Sequence, residues 1–349
     1  MVLSERKQHN IALAMLCATA IVWGVGFLLN KLLLINGFEE LPFSLNAVRF
    51  SLAALVLGIA FCKKIRFSKQ LLIFGSIGGL FLFGGFGLQI VGLKYTTPSS
   101  SGFFTVAYTL FVPFIAWIVN KRRPTPITLL GVVAALIGLT VLNLPTGEVQ
   151  RGTDELLGNM LTLGGSLFFA LQMILTDRAL NDKKLDAIGM TVVQLSFCAV
   201  IFVLVAAIFE SGKYATTQIN VLPCLWQMAI VSLLGTAFAY FAQTFAQAHL
   251  SATETSIIVA CESPIGAIFS VALGIEMLTW NLVVGGIFVL GAVVLMEILP
   301  TIVKKAKRQN GETDNTANNE TDRVSNNIDK EEKSDDETDG VNNDETNLK

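Results

Sequence analysis

Glu262 stands in the middle of an apolar run, residues 252–274, with Ser263 and Pro264 directly after it. A charge at the centre of a membrane helix costs roughly 2.5–3.5 kcal/mol on insertion scales, so such a residue needs a reason to be there. Its carboxyl suits an anchor for a substrate amine, or a site that takes up and releases a proton. A structural carboxyl bonded to a neighbouring helix is the plain alternative, and Pro264 leaves a backbone carbonyl free nearby. Arg49, some six residues into the run 43–62, suits a substrate carboxylate, an acidic partner or the interface. Gln89, Gln172, Gln194 and Gln243 interrupt other runs. Gln89 and Gln243 lie 154 positions apart and read as a matched pair, either at two gates or as interhelical glue worth about 0.6 kcal/mol per contact. Trp23 offers a flat wall for an apolar or aromatic solute, or fills space between helices. Tyr108 and Tyr240 add rings whose hydroxyls need partners when buried.

Other chemistries lack material. Two histidines and five cysteines, at 17, 62, 198, 224 and 261, show no CxxC or HxxxH spacing, so no metal or other cofactor is expected. Gly84-Gly85-Phe86-Gly87 lies inside an apolar run and matches neither phosphate-binding nor dinucleotide-binding patterns. No Ser/His/Asp set or HExxH appears, so an enzyme is not expected, and nothing points to nucleic acid.

The elements that must carry these residues are apolar helices. Of 349 residues, 52% are hydrophobic and 15% charged, where a soluble domain carries about 25% charge. The net charge of −2 hides two materials. Thirteen acids and four bases fall between Gln309 and Lys349, leaving 14 acids and 21 bases in residues 1–308. The body excludes a soluble enzyme. The tail, rich in Asn, Asp, Glu and Thr, cannot bury enough apolar surface to order itself.

A hydrocarbon core about 30 Å thick needs roughly 20 apolar residues per helix. Ten such runs occur, at 11–30, 43–62, 70–93, 99–120, 126–144, 156–177, 188–209, 222–246, 252–274 and 279–299. With the N-terminus inside, sixteen Lys and Arg fall in inner segments against four, Lys31, Lys94, Arg151 and Lys213, in outer ones. That positive-inside bias places both termini in the cytoplasm of a cell that holds the chain in its plasma (inner) membrane. The first run continues unbroken to Leu29, past the small residues at Ala18-Thr19-Ala20, which argues against a cleaved signal peptide.

The halves repeat. Gly92–Ser99 lies 154 positions before Ala246–Thr253, and the same offset pairs Phe86 with Tyr240 and Gly131 with Gly285. Five spans per half is an odd number, so the second half enters from the opposite side, the inverted arrangement from which many secondary transporters build a central site. The expected fold is therefore an all-α polytopic membrane protein, ten transmembrane helices as two inverted five-helix repeats. Its parts are a cytoplasmic N-terminus (1–10), a first repeat (11–144), an outer connecting loop (145–155), a second repeat (156–299) and a basic, then acidic, disordered cytoplasmic tail (300–349).

Trp23-Gly24 with Asn30-Lys31, and Ala47-Val48-Arg49-Phe50, resemble the opening of an EamA-type repeat of the drug/metabolite transporter superfamily. Leu250–Thr253, Glu262-Ser263-Pro264, Gly274–Thr279 and Gly285-Gly286 resemble the close of its second repeat. The chain departs from the pattern after the fourth run, where Asn120-Lys121-Arg122-Arg123 stands in place of a Gly-Glu pair. The resemblance implies a carrier that exports small organic solutes such as amino acids, metabolites or drugs by alternating access. The bilayer and the solute are the partners it implies; protons as coupling ion and a homodimer stay open. A membrane-embedded sensor or scaffold signalling through the acidic tail is the alternative.

Overall fold

A computed structural model describes residues 5–120, 126–142, 144, 154–250 and 252–295. Most of the connecting loop expected at 145–155, and the whole tail expected at 300–349, lie outside them. Among the described residues every regular element is helical: α1 (Glu5–Leu33), α2 (Pro42–Phe61), α3 (Lys69–Tyr95), α4 (Pro98–Val106), α5 (Tyr108–Asn120), α6 (Pro126–Leu142), α7 (Glu155–Asn181), α8 (Ala187–Phe209), α9 (Val221–Ser232), α10 (Ala239–Gln247), α11 (Ala252–Ala260), α12 (Glu262–Ala272) and α13 (Trp280–Val293).

Local signals set the starts. The Ser68 hydroxyl accepts from Leu71 N at 3.1 Å ahead of α3, and the Asp186 carboxylate accepts from Gly189 N at 2.6 Å ahead of α8. Thr97 caps α4 through Ser100 N, with Pro98 in the first position, where a missing N–H costs nothing.

Among the described residues six helical stretches are long and apolar enough to cross a membrane: Lys7–Phe38, Pro42–Phe61, Lys69–Tyr95, Glu155–Asn181, Ala187–Phe209 and Val221–Gln247. Leu129–Leu142, Ile258–Ala272 and Trp280–Ala292 are shorter apolar helices. Ile59, Ile118, Ile208 and Leu222 are each at least two-thirds exposed, a surface that belongs in lipid.

The rods are interrupted at four places among the described residues. The turn widens to the π form at Leu34–Phe38, within which Gly37 takes a positive φ of 129°, and again at Leu233–Phe238 between α9 and α10. The helix breaks at Ala107, between α4 and α5, and at Cys261, between α11 and α12. These two breaks are 154 positions apart. At each, a backbone N–H turns back to the carbonyl three residues earlier, Ala107 to Phe104 and Cys261 to Ile258, both at 3.3 Å. Pro264 in the first turn of α12 explains why the second cannot continue α11 unbroken.

In the packing, α3 lies along α7 and α8, α2 along α8, α6 along α13, and α1 along α12 and α10. One end of the bundle is laced by polar contacts. Glu210 accepts from the backbone N–H of Phe43 and Ser44 at 2.8 and 2.7 Å. Lys213 reaches Glu40 at 2.7 Å, and Asn220 N donates to Asn36 O at 2.9 Å. Glu276 caps α4 from outside it, its carboxylate accepting from Ser99 N at 3.0 Å. The central core is aromatic: Phe50 meets Phe86 at 5.0 Å and Phe202 at 5.6 Å, and Phe86 meets Phe169 at 5.0 Å between ring centres.

Candidate functional site

A cavity enclosing about 660 Å³ of space, its open mouth included, lies within the helices. Trp23, Arg49, Gln89, Tyr108, Gln172, Tyr240, Gln243 and Glu262 all line it. They arrive from seven helices, α1, α2, α3, α5, α7, α10 and α12. Tyr108 and Glu262 hold corresponding places, each the first helical residue after a break. Gln194 stands one shell back, on α8.

The wide turn between α9 and α10 organises one wall. There the Gly235 carbonyl accepts from the Trp23 indole N–H at 2.7 Å and from an Arg49 guanidinium nitrogen at 3.3 Å. Arg49 Nε donates to Thr236 Oγ1 at 2.5 Å, and Thr236 in turn donates to Val231 O at 2.9 Å. The guanidinium also lies 4.5 Å from the centre of the Phe86 ring. Arg49 is buried, and among the described residues no carboxylate is within ion-pair distance of it. A carbonyl, a hydroxyl and an aromatic face thus offset its desolvation without neutralising its charge.

Glu262 is the opposite case. It is buried beside the cavity, and among the described residues no hydrogen bond or ion pair reaches its carboxyl. The rings of Trp23, Tyr240 and Phe86 form a continuous apolar face, with centres 5.3 Å apart for Trp23 and Tyr240 and 6.0 Å for Phe86 and Tyr240.

The glutamines are held unequally. Gln89 Nε2 donates to Thr105 Oγ1 at 2.9 Å. Gln172 Nε2 donates to Gln194 Oε1 at 2.8 Å and to Thr176 at 3.1 Å, a closed cluster that Gln194 completes by donating to Thr176 at 3.2 Å. Gln243 Nε2 makes one long contact to Gln172 Oε1, 3.5 Å, and its own Oε1 is buried without a partner among the described residues. The cavity therefore presents a fixed cation, an unpaired carboxyl, an idle amide oxygen and an aromatic wall, which together can hold a small solute with charged and apolar parts.

Sequence reasoning missed Thr105, Asn30 and the Gly235–Thr236 turn, all at the cavity or its wall. Phe86 stood out in the sequence only within the glycine run 84–87 and as the repeat partner of Tyr240.

The chain matches the EamA-like transporter family twice, over residues 10–144 and 156–298. It is 28% identical over 294 residues to an uncharacterized transporter of Archaeoglobus fulgidus, covering 84% of this chain and 87% of that one. The uncharacterized transporter YetK of Bacillus subtilis is 26% identical over 265 residues, 72% of this chain and 77% of its own. A solved crystal structure at 17% identity superposes with a TM-score of 0.55 over 80% of this chain and 98% of the other, which shows a common fold.

Proposed function

The chain belongs to the EamA-like transporter family as a multi-pass membrane protein, and from that premise we propose that it is a secondary carrier, not an enzyme, for small organic solutes that bear both an ammonium and a carboxylate. Ten spans carry it: α1 with its wide turn, α2, α3, α4–α5, α6, α7, α8, α9–α10, α11–α12 and α13. Two features support reading these as inverted five-span repeats. Exchanging the first five spans for the last five leaves the main packing pairs in place, and the two helix breaks fall at the same offset as the sequence repeat. The loop-laced end faces outward and both termini lie in the cytoplasm of the plasma membrane, in keeping with the basic residues of the other end. Rocking of the two repeats about the cavity moves the solute, in the export direction by analogy with the fold.

The observation that carries this reading is that Glu262 and a buried Arg49 share one cavity and, among the described residues, the first has no hydrogen-bond or ion-pair partner and the second no counter-ion. A guanidinium without a counter-ion and a carboxyl without a partner, set in one desolvated space, are complementary to a solute that brings a carboxylate, an ammonium and an apolar side chain. Solute flux into proteoliposomes, across a panel of amino acids, amines and acids with and without a pH gradient, tests it. Saturable flux greatest for the zwitterions is expected. Dependence on the imposed gradient would assign proton coupling, and indifference to it a uniporter or exchanger. No saturable flux for any zwitterion would refute the proposal.

A further inference from the structure

Lys31, near the end of α1, donates to three backbone carbonyls at the end of α3: Leu93 at 2.7 Å, Lys94 at 3.1 Å and Thr96 at 3.0 Å. Those carbonyls are the ones a helix end leaves without intrahelical partners, at the negative end of its dipole, and the ammonium spends all three of its N–H donors on them. The place of this clasp is informative. Asn30 lines the central cavity with Gln89 and Thr105, whereas Lys31 lines a second, more open one, about 1240 Å³ with its mouth included, with Thr96 and Ser100. None of the described residues that line one cavity lines the other, and the clasp stands where α1 passes from residues of the first, Leu29 and Asn30, to residues of the second, Lys31 with Thr96.

The second repeat has a counterpart. Asn181, the last residue of α7, donates to Gln247 O at 3.1 Å, and Gln247 is the last residue of α10. Leu93 and Gln247 are 154 positions apart, the offset that also relates the two helix breaks and Gln89 to Gln243. The same joint, first helix onto the end of third, is thus closed in both repeats, with different chemistry. One side uses a cation on three carbonyls and the other a single neutral amide, and charge-assisted bonds are roughly twice as strong.

We propose that Lys31 is the latch of the outer gate, holding α1 against the α3–α4 corner between the second cavity and the central one, and that Asn181 is its weaker equivalent at the inner gate. The carrier therefore rests with its outer side held the more firmly. Lys31 acts as a positioning residue, through α1 and α3. The assignment rests on the repeat and orientation given above.

Labelling in intact cells tests it. In a chain whose five native cysteines are replaced, Leu29→Cys places a thiol in the central cavity, and a membrane-impermeant maleimide is added from the medium. With Lys31→Met the thiol should react about tenfold faster or more. Lys31→Arg should restore slow reaction, and Lys31→Gln should fall between, which also serves if the Met variant fails to assemble. Asn181→Ala should not accelerate labelling from this side. Equal rates for Lys31 and its Met and Gln variants would overturn the latch. A control thiol, Lys213→Cys, separates the two readings: if it reacts only in opened cells, the orientation is wrong, and the same comparison made from the cytoplasmic side still decides the latch.

Discussion

Glu262→Gln replaces an acid by an amide of the same shape, and the structure sets both halves of its expected effect. The carboxyl has no hydrogen bond or ion pair among the described residues, so the exchange breaks no internal contact. Replacing a buried carboxyl that has no partner by an amide of the same shape is neutral or stabilising, and the melting temperature in detergent should hold or rise. Binding should suffer. A hydrogen bond to a charged group contributes about 1.5–3 kcal/mol, and at 1.4 kcal/mol per decade its loss raises KM for ammonium-bearing solutes roughly ten- to 150-fold. Acids without an ammonium should be far less affected. The assay is initial flux against concentration in proteoliposomes, with a thermal shift measured on the same preparation. A melting temperature several degrees lower would mean that the carboxylate is structural. Unchanged KM for zwitterions and amines would remove Glu262 from the binding site.

Gly24→Ala would place a methyl 2.7 Å from Glu262 O and 2.8 Å from Ile265 Cγ2, prising α1 from α12. Overpacking of this kind costs about 1–3 kcal/mol, so both the melting temperature and the flux should fall, and a wild-type melting curve would contradict the contact. Gln243→Ala loses one long contact and should slow solute exchange more than it lowers stability; wild-type exchange rates would return Gln243 to a packing role. Lys213, by its hydrogen bond, and then Lys94 hold the Glu40 carboxyl below the ordinary carboxylate range. That small stabilisation is present at neutral pH and is lost as pH falls through the lowered range, so Glu40→Gln should flatten the acid limb of the melting-temperature profile, and an identical limb would refute it. Deleting residues 309–349 should leave flux intact in a carrier, whereas a sensor working through the tail would lose its output.

Much of the helical plan was legible because lipid imposes length and apolarity on each span, and because polar residues such as Arg49, Gln172 and Glu262 are conspicuous against that background. The interruptions were less so. Nothing in Val106-Ala107-Tyr108 marks a break, since neither Pro nor Gly stands there, and the wide turn at 233–238 depends on Trp23 and Arg49 reaching a carbonyl from two other helices. Thr105 escaped notice for a different reason. A threonine in a helix can satisfy its hydroxyl on its own backbone, as Thr19 and Thr244 do, and so it carries no signal of its own. Lys31 was counted as an outer loop charge, because its use depends on where α3 ends in space.

The cavity holds one guanidinium and one carboxyl, both supplied by the protein. A charge moved across a membrane at 100 mV gains or loses about 2.3 kcal/mol. A zwitterion taken up between these two groups adds no net charge to the moving complex, so its uniport should be indifferent to membrane voltage and run down its concentration gradient alone. A plain amine on the same path would carry its charge with it, and the resting potential of a living cell, negative inside, would oppose its exit. On the proposed export of zwitterions, the carrier would then sort solutes electrically as well as by shape, releasing balanced molecules and retaining cations.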